Sequence, residues 1–87
     1  MADREVTQTL KSEKGDIIAL CNSRAIWSPK LKSMAILEIE ENIHRYFVNV
    51  GDDEIEIHVI YDPYKGKYLR TDPDKSTSNN LENLPDH

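Results

Sequence analysis

Eighty-seven residues, 38% apolar and 31% charged, allow one domain with a thin core, and the clustering of the apolar positions excludes a disordered chain. A net charge of −5 works against general binding to phosphate backbones and to anionic membranes. No apolar run approaches the roughly 18 residues that span a bilayer. The opening MADREVTQTL has no signal-peptide core, and the one cysteine, Cys21, has no internal disulfide partner, so a cytoplasmic setting is expected.

Val6 to Leu10 (VTQTL) alternates apolar and polar positions around two β-branched threonines and predicts a first strand. SEKGD turns the chain, and Ile17 to Cys21 (IIALC) predicts a second strand in hairpin with the first. In the connection that follows, Ser28-Pro29 could open a helical turn and Ser33 is a candidate N-cap. A helix is predicted from Met34 to about Ile43, with Ala35, Ile36, Ile39 and Ile43 on one face and Glu38, Glu40 and Glu41 on or near the solvated one. Leu37 points away from the apolar stripe and reads as an isolated exposed leucine.

His44 to Val50 and Glu54 to Tyr61 form the next two strands. Side-chain parity demands an even-numbered loop between them, either Gly51-Asp52 or Gly51 to Glu54. Val48, Val50, Ile55, Ile57 and Val59 then share a face packed against Ile36, Ile39 and Ile43. DPYKG makes another turn, and KYLRT closes the sheet with Leu69 on the inner face. The order is ββαβββ: an α+β domain with a small antiparallel sheet and one helix on one face. The whole chain, 1–87, is one unit, with 1–14 the least secure part and 72–87 a polar tail.

That tail resists a reading as disorder. Asn79 or Asn80 can cap a helical turn, Leu81 and Leu84 lie three apart, and Pro85 ends the turn. One turn alone does not persist in water, so it is expected to dock, and the outer sheet face around Phe47, Ile60 and Tyr68 is the expected berth. The motifs WSP, HRYFV, KYLRT and the closing NNLENLP resemble a family of short prokaryotic proteins known only as a domain of unknown function. The resemblance runs from about Asp16 to the C-terminus and implies a self-contained unit that includes the tail. It brings no catalytic residue, cofactor or partner.

The chemistry-bearing residues are sparse. Asp72, Asp74, Ser76 and Ser78 alternate as in a calcium loop, but the turn glycine and the closing glutamate are missing. His44, His58, His87 and Cys21 lack the short paired spacings of a zinc site, and Cys21 reads as a core residue. With no phosphate loop and no nucleophile motif, no metal or cofactor is expected and an enzyme is disfavoured. Parity gathers Phe47, Asn49, Glu56, His58, Tyr68 and Arg70 on the outer sheet face, with Tyr64 and Trp27 on loops. These eight form the candidate binding surface. The expected function is an interaction or accessory module for a protein partner. The alternatives are single-stranded nucleic acid bound along Tyr64–Arg70, and a small-ligand or enzymatic site near His58 and Arg70.

Overall fold

The computed structural model describes residues 2–72 together with Leu81, Leu84 and Pro85. Along the chain run β1 (Ala2–Glu5), β2 (Gln8–Lys11), β3 (Ile17–Cys21), β4 (Lys30–Leu31), α1 (Lys32–Glu40), β5 (His44–Val50), β6 (Asp53–Asp62) and β7 (Gly66–Thr71). The α+β class is as expected, and the ββαβββ order stands as β2-β3-α1-β5-β6-β7. Two strands are added, β1 and β4, and the strands divide between two sheets, β1-β5-β6-β7 and β2-β3-β4. No helix among the described residues is long and apolar enough to cross a membrane.

Parity governs the larger sheet. Val48 pairs with Ile55 and Val50 with Asp53, which leaves Gly51-Asp52 as the turn. Gly51 takes φ +61° and Asp52 does not follow it to positive φ, the combination a type II′ hairpin needs. Val48, Ile55 and Ile57 are buried on the shared face, while Val50, near the open end, is exposed. The same alternation turns Tyr46 inward, where it is fully buried. On the other side of β6, Val59 pairs with Leu69, Ile60 with Tyr68 and His58 with Arg70, as the five-residue link requires.

The N-terminal stretch does more than form a hairpin. β1 runs parallel to β5, with Ala2 opposite His44 and Glu5 opposite Phe47. The Val6 N–H donates to the Phe47 carbonyl at 2.8 Å, and the next N–H, of Thr7, donates to Cys21 at 3.0 Å. One continuous segment therefore leaves the larger sheet and enters the smaller one within two residues, with Val6 buried at the crossing. Hydrophobic alternation cannot reveal β1, because ADRE has almost no apolar residue to alternate.

The helix begins and ends earlier than periodicity suggests. Ser28-Pro29 is a cis peptide bond and opens no helical turn. The chain continues as β4, paired with β3, and α1 starts at Lys32 with Leu31 as a cap that offers no side-chain hydrogen bond; Ser33 lies inside the helix. At the other end Asn42 takes φ 57°. The Asn42 N–H reaches the Ile39 carbonyl and the Ile43 N–H reaches that of Glu38, the paired bonds of a Schellman stop. Ile43 is thereby thrown off the apolar face and is 46% exposed, which corrects its expected place in the core. Ile36 is buried, Ile39 packs against the core, and Leu37 is exposed as expected.

The tail docks, though not on the outer sheet face. Leu81 is fully buried in the core cluster with Val6, Ile17, Leu20, Ala35 and Leu69, and Leu84 packs against the cluster. The Pro85 carbonyl accepts the Thr9 N–H at 3.1 Å, and the Leu84 carbonyl accepts Lys11 Nζ at 3.0 Å. The berth is β2, an edge strand whose backbone donors need acceptors. Asn79, Asn80 and the Asp74–Ser78 stretch lie outside the described residues.

Leu81→Ala should lower unfolding stability by about 2–5 kcal/mol, the range for truncating a buried leucine. Leu37→Lys should change it by no more than about 0.5 kcal/mol. Denaturant melts of the two variants decide this, and equal losses would contradict both the helix phase and the tail contact.

Candidate functional site

A buried polar cluster locates the elements that build the site. Glu38 faces inward and is only 9% exposed, which corrects its expected place on the solvated face. Tyr46 Oη donates to Glu38 Oε1 at 2.5 Å, and Arg4 Nη1 donates to Tyr46 Oη at 2.9 Å. Lys30 Nζ lies 3.2 Å from Glu38 Oε2, and Arg4 lies 3.6 Å from Oε1. Trp27 sets its ring edge-on against Tyr46 at 5.5 Å, and the Arg4 guanidinium covers both rings at 5.7 Å. Burial pushes the Glu38 carboxyl up, but the Tyr46 hydroxyl, Lys30 and Arg4 outweigh it and hold the group below its ordinary value. Burial, then the Glu38 hydrogen bond, push the Tyr46 phenol from 10.0 to about 12.

Of the eight sequence-derived residues, five adjoin one another on the outer face of the larger sheet. Phe47 pairs with Glu56, His58 with Arg70, and Tyr68 with Ile60 beside them. Charged groups on this face are paired with one another, with carboxylates in excess. Arg45 stacks over Phe47 at 5.3 Å and meets Glu54, Glu56 and Asp3 at 2.6, 2.8 and 3.5 Å. Its hydrogen bond to Glu54 leads the causes that raise its pKa. His58 Nε2 lies 3.5 Å from Glu56 and 3.7 Å from Asp72, longer than a direct hydrogen bond. Asn49 is exposed and donates to Glu5 at 2.7 Å. Tyr64 stands alone at the β6–β7 turn. Trp27 lies on the opposite side of the sheet from Phe47, as a buttress for Tyr46.

The site that sequence reading only grazed is a groove of about 550 Å³, lined by Gly15, Asp16, Ile17, Lys32, Asp62, Lys65 and the run from Lys67 to Arg70. Its size falls in the range of ligand-binding clefts. Four cations face two carboxylates there, in a chain that is acidic overall. Asp62 Oδ1 already accepts the Tyr64 and Lys65 N–H groups, which shapes the turn. Lys67 pairs with Glu40 at 2.9 Å. The Arg70 side chain donates through Nε to the Thr71 carbonyl, and Lys32 and Lys65 meet no carboxylate among the described residues. Lys32 and Gly15–Ile17 escaped the sequence reading because only the fold brings them opposite β7. Lys65, Lys67, Tyr68 and Arg70 were visible as a basic and aromatic run.

The groove offers charge complementarity to an anionic ligand. Cys21 is fully buried, and burial pushes its thiol up despite hydrogen bonds from Ser28 and Leu10 that pull the other way. Among the described residues no three His, Cys, Asp or Glu side chains gather as a metal site would need, and His87 lies outside them.

Fold and site together define a small two-sheet α+β domain with one cationic surface groove. The chain belongs to the family described as "Protein of unknown function (DUF3892)", whose model matches residues 5–85. No curated protein and no solved structure matches it.

Tyr46→Phe should cost about 1.5–3 kcal/mol at neutral pH, the worth of a hydrogen bond to a charged group. The phenol's folded pKa is raised, so its contribution is complete below the unfolded value of 10.0 and is lost as pH rises toward about 12. The gap between wild type and Tyr46→Phe should therefore narrow across that window in denaturant melts. A constant gap would show that the phenol is not held in its neutral form by the fold. Glu38 works at the acid end: its lowered pKa contributes stability above the unfolded value, and that contribution is lost as pH falls through the folded one.

Proposed function

We propose that this chain is a small accessory module that docks on a protein partner through the cationic groove beside β7 and the adjoining outer sheet face. The observation that carries the reading is the gathering of Lys32, Lys65, Lys67 and Arg70 around one concave site of an acidic chain. Cations that serve internal stability keep their counter-ions close, as Arg45 does with Glu54 and Glu56. Lys32 and Lys65 do not, and unneutralised cations in a cleft steer and orient an anionic partner. Tyr68 and Arg70 line the same groove, and tyrosine and arginine are enriched among the residues that dominate interface energetics. A cytoplasmic setting, with the Cys21 thiol free and buried, belongs to the same reading.

Unpaired nucleic acid along Tyr64–Arg70 is the second reading. It is favoured by Tyr64, which is 97% exposed next to Lys65 and presents a full ring face to a base. The small-ligand or enzymatic site near His58 and Arg70 has less support, because His58 faces the carboxylates of Glu56 and Asp72.

Cross-linking capture from cell extract should compare wild type, a Lys65→Glu/Arg70→Glu variant and an Arg24→Glu control, an exposed position on the β3–β4 loop that does not line the groove. Proteins captured by wild type and control should be lost from the groove variant. The same captured set in all three would sink the proposal. Capture that is abolished by added nuclease and falls steeply with salt would favour the second reading.

A further inference from the structure

β7 is the last strand of its sheet, so one of its edges has no strand beside it. The register fixes which backbone groups that edge presents. The Asp72 N–H donates to the Glu56 carbonyl at 2.8 Å, so Asp72, Arg70 and Tyr68 turn their backbone groups toward β6. The alternate residues Lys67 and Leu69 turn theirs outward, and among the described residues no acceptor meets their N–H groups. The cationic groove follows this edge, for all four residues from Lys67 to Arg70 line it. Successive side chains of a strand point to opposite faces. A cavity touched by four in a row must border the strand's side, where the backbone is bare.

The geometry points to an acidic, extended segment of the partner protein as the occupant of the groove, added to β7 as a further strand. This rests on the partner-binding reading above and gives the partner a chemistry. Backbone hydrogen bonds to Lys67 and Leu69 supply affinity, and side chains on alternate residues of the incoming segment supply selection. The charges choose the sign. Lys32, Lys65 and Arg70 rim the edge beside Lys67, which keeps Glu40, and of the two lining carboxylates Asp62 is occupied by its own turn, so three cations stand against Asp16. A second copy of this chain fits the role less well, since joining two β7 edges would gather the Lys65, Lys67 and Arg70 cations of both copies along one seam. The other edges offer less. That of β2 is closed at Thr9 by the Pro85 carbonyl, and β4 has only two residues.

The test uses the full-length, isotope-labelled protein and a blocked peptide of about six residues, the usual strand length, alternating glutamate and valine. Binding should saturate, and amide exchange at Lys67 and Leu69 should slow by about tenfold or more as those groups gain partners. Tyr68 and Arg70 amides, already bonded to β6, should change far less. Methylating alternate amides of the peptide should weaken binding about tenfold in one phase and not in the other, the equivalent of about 1.4 kcal/mol. Lys65→Glu/Arg70→Glu should weaken it at least as much, with an unchanged exchange pattern elsewhere showing that the variant is folded. Binding that ignores methylation and leaves the Lys67 and Leu69 amides untouched overturns strand addition while keeping the groove as a docking site. Tighter binding of oligothymidylate at the same charges overturns the acidic peptide in favour of nucleic acid. No binding of the peptide at low salt overturns the inference outright.

Discussion

A carboxylate inside a small core is the constraint on which this structure depends. Glu38 on α1 is nearly sealed from solvent, and an uncompensated buried charge costs several kcal/mol. It is tolerated because three other elements bring partners to it: Arg4 from β1, Lys30 from β4 and Tyr46 from β5. Removing a charged partner from a buried carboxylate typically costs about 3–5 kcal/mol, more than the loss of the neutral Tyr46 hydroxyl. The short strand β4 has no apolar side chain in the core. Its register on β3 nevertheless presents Lys30 to Glu38 and starts the helix two residues later. The position of Lys32 on the groove rim follows from that register.

Charge is sorted by location across the molecule. Around Arg45 the outer sheet face sets three carboxylates on one cation and stays negative on balance. Such exposed pairs are each worth ~1 kcal/mol or less, so their main effect is to hold Glu54 and Glu56 on one arginine. The groove side of β7 is different, with cations set against the chain's overall sign. The two surfaces lie on hairpins that share β6, and a ligand that enters the groove lies beside Tyr68 and Arg70 at the sheet's margin.

Legibility in the sequence followed hydrophobic pattern. The β5–β6 hairpin and the pairing of β7 could be read because alternation of period two restricts the register, with Gly51-Asp52 one of the two turns it allows, and the docking of Leu81 could be read from its spacing to Leu84 before Pro85. What escaped had polar residues doing inward-facing work. Glu38 looks like a surface position unless its partners are known, and Arg4 and Lys30 each sit in a local stretch without apolar rhythm. The helix end escaped because Asn42 adopts the left-handed conformation that glycine usually signals. The candidate surface was half visible. Its β7 side is contiguous in sequence, whereas Gly15–Ile17 and Lys32 join it only through the packing of β3 and α1.

The crossing at Val6 and Thr7 makes the two sheets one cooperative unit. Consecutive amides of the same segment are bonded to Phe47 in one sheet and to Cys21 in the other. Peeling that segment from either sheet drags at the other and uncovers Val6, which is buried between them. Neither sheet can therefore open as an independent subunit of stability, and loss of structure in one propagates to its neighbour within a residue. A chain wired in this way has one melting transition to lose and no half-folded form in which a single sheet persists.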